Sequence, residues 1–125
     1  MTRSRLLIDT HILLWAINDD ARLSARHREI LVRNEGLIVI VVSILEIAIK
    51  RSSGKLTVKG DLLETLRIRG IPLLPINEHH ALNIERLPHH HGNPFDRLLI
   101  AQAQIERLTI VTADPQFSRY DVALA

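Results

Sequence analysis

Leu37-Ile38-Val39-Ile40-Val41-Val42 decides the fold. Five of the six residues are β-branched and none is charged. A strand with one wet face alternates apolar with polar residues. An unbroken run of this length fits a strand covered on both faces, as in a parallel sheet. Gly36 precedes it and ends a predicted helix from Ser24, the cap, to about Asn34, with Ile30 and Leu31 facing inward. After it, Ser43 opens a predicted helix to about Ser52, stopped by Gly54.

The same alternation extends in both directions. Arg5 to Ile8 reads as a short buried strand ending at Asp9, followed by a buried helix over His11 to Ile17 and a polar turn over Asn18 to Leu23. Asp61 opens a helix to about Arg69, ended by Gly70. Ile71 to Ile76 is a third strand, and its two prolines predict a sheet edge. Asn77 caps a helix to about Arg86, and Pro88 to Gly92 is a His-rich loop. Asn93, with Pro94 at the first helical position, starts a helix to about Arg107. Leu108 to Thr112 is a fourth strand, Asp114-Pro115 a turn, and Asp121 to Leu124 a short last strand. Strands alternating with helices predict an α/β layer fold with a mostly parallel sheet.

The 125 residues suit one domain, 1–125. The absence of Cys excludes a disulfide scaffold, a Cys-ligated metal centre and a Cys nucleophile. Net charge is only +2, so no polybasic tail is present, although 13 Arg and three Lys offer phosphate-matching forks. Trp15, Phe95, Phe117 and Tyr120 are too few for a base-stacking platform. No apolar run approaches the roughly 20 residues of a membrane span. Arg3 and Arg5 precede apolar residues as in a signal peptide, but Asp9 and His11 interrupt the stretch and no small-residue cleavage site follows. The expected setting is cytoplasmic.

In parallel α/β sheets, ligands bind beyond the carboxyl ends of the strands. Four acids fall at strand ends or helix starts: Asp9, Glu46, Asp96 and Asp114. Brought together, they would repel unless a cation or shared protons compensate. Mg²⁺ takes oxygen ligands and, so held, activates water for attack at phosphorus. Each acid also has a plainer reading. Glu46 completes a capping box with Ser43 or pairs with Lys50; Asp96 favours a helix dipole; Asp114 starts a turn. Asp9 and Glu46 are harder to explain that way, because both are embedded in apolar surroundings where a lone charge is costly.

Four segments occur in order: Leu7-Ile8-Asp9-Thr10-His11, Ser43-Ile44-Leu45-Glu46-Ile47-Ala48-Ile49-Lys50, His91-Gly92-Asn93-Pro94-Phe95-Asp96-Arg97 and Val111-Thr112-Ala113-Asp114. Together they resemble the signature segments of PIN-domain nucleases, especially VapC-like toxins of bacterial type II toxin–antitoxin modules. The resemblance spans Leu6 to Phe117. It implies a three-layer α/β/α sandwich with a central sheet of four or five strands. It also implies a Mg²⁺-dependent endoribonuclease, with Mn²⁺ as the alternative ion, that leaves a 5′-phosphate and a free 3′-hydroxyl. Asp9, Glu46, Asp96 and Asp114 match the acidic quartet, as catalytic and metal-binding residues, and Thr112 matches a supporting hydroxyl. Asn93 stands where many relatives carry an acid, and Gln116 is the candidate for a further polar position. The implied partners are an RNA substrate, a cognate antitoxin and a second copy of the chain, with no membrane.

Lys50 and Arg97 are candidates for phosphate contact or for helix-surface pairing. His79, His80 and His89 to His91 read as exposed polar loop rather than a zinc site, with an RNA contact open for the second group; His11 reads as packing or capping, with proton transfer as the alternative. The helix Ser43 to Ser52 is apolar almost all round and reads as buried core, with a partner surface as the alternative. The competing function is a catalytically silent PIN fold that binds RNA or protein. A receiver-like phosphoryl-transfer protein fits poorly, because one acid follows strand one, no Lys follows strand four and no Gly-rich phosphate loop exists.

Overall fold

The computed structural model describes residues 5–33 and 36–125. Arg3 and the predicted helix end at Asn34 lie outside these residues. The four strands are β1 (Leu6–Ile8), β2 (Leu37–Ile40), β3 (Leu73–Leu74) and β4 (Thr109–Val111), all parallel, in the order β3-β2-β1-β4. Among the described residues, six α-helices accompany them: α1 (Thr10–Ile17), α2 (Ala25–Arg33), α3 (Val41–Ser52), α4 (Leu62–Ile68), α5 (Glu78–Asn83) and α6 (Pro94–Glu106).

Strand alternation divides the core in two. Leu7, Ile38, Ile40 and Ile110 point to one face and pack with Leu99, Ile100 and Ala103 of α6. Leu6, Ile8, Leu37, Val39 and Val111 point to the other and pack with Ile12 and Leu13 of α1, Leu62 and Leu66 of α4 and Ile47 of α3. Two apolar faces explain why β2 carries no polar residue. The result is the predicted sandwich: helices on both faces of a parallel sheet.

Boundaries differ where tertiary contacts override local signals. The run Leu37 to Val42 is not all strand: Val41 already begins α3, against its β-branched propensity. Val42 lies in the first core and Ile47 in the second, so α3 leaves the sheet's carboxyl edge with contacts on both sides. The helix has no side-chain cap at Ile40, and the predicted Ser43–Glu46 capping box does not form. Glu46 therefore lies in the second turn rather than the first. α3 is also less buried than its composition suggests, since Val41, Leu45 and Ile49 form an exposed row at i, i+4 and i+8.

β3 shrinks to Leu73–Leu74, at the predicted edge. The last segment contributes a single parallel bridge, Ile110 with Leu124, rather than a fifth strand. The helix from Asn77 to about Arg86 is split into α5 and a 3-10 turn over Ile84–Arg86. Gly54 and Gly70 end their helices with left-handed φ of 73° and 67°, where a side chain would be strained. Among the described residues, no helix is long and apolar enough to cross a membrane.

Candidate functional site

The carboxyl edge of the sheet is built from β1, α1, α3, α6 and the segment after β4. Backbone pairing of β1 with β4 continues one residue beyond the strands, as Asp9 N–H donates to Val111 O at 3.1 Å. That places Asp9 beside Thr112. The carboxylate of Asp9 caps α1, accepting from Ile12 N–H at 2.9 Å through Oδ1, and takes a 2.5 Å bond from Thr112 Oγ1 at Oδ2. Thr112 Oγ1 in turn accepts from Asp114 N–H at 3.1 Å. One hydroxyl thus joins the ends of β1 and β4.

α3 lies against both α1 and α6. Its amino-terminal half meets α1 through Thr10 Oγ1, which donates to Ser43 Oγ at 2.9 Å, with both residues buried. Ser43 is thus a contact between helices and not a cap. Glu46 is 2% exposed. Its Oε2 pairs with Lys50 Nζ at 3.1 Å, whereas its buried Oε1 has no hydrogen-bond partner in the structure. An unpaired buried carboxylate oxygen is costly.

Asp96 enters from the first turn of α6. Asn93 caps that helix, accepting from Phe95 N–H at 2.9 Å and Asp96 N–H at 3.3 Å, as predicted. The carboxyl of Asp96 is held above the ordinary range by burial first and then by the charge of Glu46; a bond from His91 opposes this and the charge of Asp9 adds to it. Asp9 is also raised, by burial, against the bonds from Thr112 and Ile12. The Asp96 shift disfavours its ionisation together with Glu46 and Asp9, whereas that of Asp9 reflects burial alone.

Asp96 is therefore within electrostatic reach of both Glu46 and Asp9. Asp114 is attached through Thr112, while its own Oδ1 accepts from Gln116 N–H at 2.9 Å and caps the 3-10 turn Pro115–Arg119. The side chain of Gln116 is engaged by Arg119, 3.2 Å away. Among the described residues, no three His, Asp or Glu side chains stand close enough to hold a metal ion as they are. The acids share a field without yet forming a coordination sphere.

Two candidate phosphate contacts are already engaged. Arg97 is buried, and its guanidinium donates to Pro88 O at 2.8 Å and to Ile84 O and Leu87 O at 3.4 Å each. It anchors the loop and is unavailable to a ligand. Lys50 makes the i,i+4 pair with Glu46. The histidines also separate. His79 is exposed, but His80 is buried, accepting from Asn77 N–H through Nδ1 at 3.0 Å and meeting Glu106 Oε2 through Nε2 at 2.8 Å. The polar-loop reading fails for His80 because α5 begins at Glu78 and turns this residue inward. His91 lies between Tyr120 and Asp96. Sequence reasoning missed Tyr120; being the chain's one tyrosine was the only available signal.

The chain matches the family model for the PIN domain over residues 6–123. No curated protein matches it. Among solved structures, it is similar to DNA-bound VapBC from Salmonella typhimurium, at 14% identity and TM-score 0.71, over 98% of this chain and 97% of that one. It is also similar to VapBC2 from Rickettsia felis bound to a DNA fragment from their promoter, at 20% identity and TM-score 0.67, over 96% of each chain. A toxin–antitoxin complex from Klebsiella pneumoniae is similar at 16% identity and TM-score 0.59, over 87% of this chain and 86% of that one. These likenesses establish a shared fold. With its parallel sheet, its helices on both faces and a family match from the first strand almost to the last residue, the chain belongs to the PIN domain family.

Proposed function

We propose that the protein is a Mg²⁺-dependent endoribonuclease and the toxin component of a type II toxin–antitoxin module. The observation that carries the reading is the group of Asp9, Glu46 and Asp96 at the sheet's carboxyl edge. Two of these carboxyls are raised and the third carries a buried oxygen without a partner. Such an arrangement is poor as a structural staple and well suited to a hard cation, which relieves repulsion and supplies the missing partner. Mn²⁺ suits the same oxygen donors.

Asp9, Glu46 and Asp96 would hold the ion, with Asp114 recruited through the Thr112 bridge. When bound, Mg²⁺ supplies Lewis-acid chemistry: water activation for attack at phosphorus and neutralisation of charge on the phosphoryl oxygens. Thr112 fixes the orientation of Asp9. Lys50 is the cation nearest Glu46; release from that pair would free an ammonium for a phosphate oxygen. Partners in this reading are an RNA substrate, a cognate antitoxin and a second copy of the chain. The likeness to a toxin–antitoxin complex from Klebsiella pneumoniae supports the antitoxin, and the exposed row Val41, Leu45 and Ile49 supports the homodimer.

The test compares the protein with Asp9→Asn on total RNA, with Mg²⁺ and with chelator. Cleavage is expected only from the unmodified protein with metal, with a loss on the order of a hundredfold or more in the variant. Equal cleavage by both proteins overturns the assignment of this site. Binding of RNA with no cleavage under any metal condition favours the silent PIN-fold module instead.

A further inference from the structure

The loop Pro88 to Gly92 sets His91 against Asp96, in an arrangement whose hydrogen-bond direction can be deduced. Arg97 is the starting point, because a guanidinium donates and never accepts. One of its N–H groups lies 3.4 Å from Tyr120 Oη, so Tyr120 is the acceptor there. Tyr120 is almost fully buried and its hydroxyl has one proton to place. The available acceptor is His91 Nδ1, at 2.7 Å. A neutral imidazole that accepts at Nδ1 carries its proton on Nε2. His91 Nε2 lies 3.4 Å from Asp96 Oδ2. Every link therefore runs one way, from Arg97 through Tyr120 and His91 to the carboxylate.

We propose that His91 is a positioning residue for Asp96: the Arg97–Tyr120 pair fixes it in the Nε2–H tautomer, and it orients the Asp96 carboxylate toward Asp9 and Glu46. This rests on reading Asp96 as a member of the nuclease site. The surroundings are built for orientation. Arg97 holds the start of the loop through Pro88 O and the residues leading into it through Ile84 O and Leu87 O, Arg119 donates to His90 O at 3.3 Å, and the His90 ring packs edge-on against Tyr120 at 4.9 Å. The loop backbone is secured without the His91 side chain, so the ring is free to serve the carboxylate. Partners of this kind conventionally tune a metal ligand's orientation and basicity, and their loss costs about tenfold to a hundredfold in metal affinity.

The experiment uses the full chain. Nitrogen NMR of His91, in chelator above the imidazole titration range, is expected to show the Nε2–H tautomer, and Tyr120→Phe to erase that preference. Mg²⁺ titration followed by thermal shift is expected to give a midpoint about tenfold weaker in His91→Ala and Tyr120→Phe. His91→Gln, which keeps a donor of similar reach, should recover most of the loss. If Tyr120→Phe does not fold, the Ala and Gln variants at position 91 carry the same test. A Nδ1–H tautomer, or an unchanged midpoint in His91→Ala, overturns the inference. A native protein with no Mg²⁺ response instead overturns the nuclease reading beneath it, so the two failures are distinguishable.

Discussion

The two ends of α6, roughly 20 Å apart at the α-helical rise, each set a histidine against an acid, yet they are finished differently. At the carboxyl-terminal end, His80 uses both ring nitrogens, one toward Asn77 N–H and one toward Glu106. Asn77 Oδ1 in turn accepts from His80 N–H, closing a capping box. At the amino-terminal end, Asp96 shares its surroundings with two other acids, and Glu46 Oε1 is left without a partner. The first network is closed and joins α5 to α6. The second is held in place by the fold but not satisfied by it. A domain that left such groups incomplete for no purpose would lose stability for nothing. The contrast separates polar burial that the fold satisfies from polar burial that it leaves unsatisfied.

The contrast is sharpened most by His80→Leu. It leaves the Asn77 N–H and the Glu106 carboxylate without their partner, and denaturant unfolding should show a loss of about 2 kcal/mol. The rise in melting temperature with Mg²⁺ should be unchanged. A diminished metal response would mean that the two ends are coupled and the comparison is mistaken.

A smaller effect, about 1 kcal/mol, is expected from Lys50→Met. Removing the cation exposes Glu46 to its acidic neighbours, so the metal-free protein should melt lower. The Mg²⁺-induced rise should grow, because the ion no longer competes with an ammonium. Thermal shift with and without chelator measures both, and a reduced metal response would count against Glu46 as a ligand.

The smallest expected effect is in pH. Asp9 and Asp96 hold protons more tightly in the folded chain than in the unfolded one. Their protonated forms therefore favour folding below the ordinary carboxyl range, and that contribution disappears as pH rises through the raised range. In chelator, mild acidification should raise the melting temperature by a few degrees before general acid unfolding begins. Asp96→Asn should flatten this slope, and Mg²⁺ should reverse it; an unaltered slope in Asp96→Asn would remove Asp96 from the coupled group.

Much of the architecture was legible because burial on both faces leaves a direct mark. Leu37 to Val42 reads as an interior strand, and its first four residues are one; Pro72 and Pro75 predict an edge, and β3 is there. Caps such as Asp61, Asn77 and Asn93 were also readable, since each signals through its own side chain. What escaped was what depends on distant partners. Ser43 has the sequence signature of a cap, but its place is taken because Thr10 meets it across the gap between α1 and α3. Arg97 looks like a surface cation until the backbone carbonyls of Ile84, Leu87 and Pro88 converge on it. The grouping of Asp9, Glu46 and Asp96 follows from their common position at one sheet edge. The bridging by Thr112 and the alignment by His91 depend on contacts that no spacing encodes.

The margins of the sheet carry one more consequence. On one side, β3 is two residues long and bracketed by Pro72 and Pro75. On the other, the Ala123-to-Ala125 segment occupies the outer amide and carbonyl of Ile110. Neither flank offers a foreign strand a run of vacant main-chain groups, which guards against ribbon-like aggregation. Any protein that docks on this domain must recognise it through side chains on helices and loops, so its companions can diverge by surface substitution while the backbone scaffold stays the same.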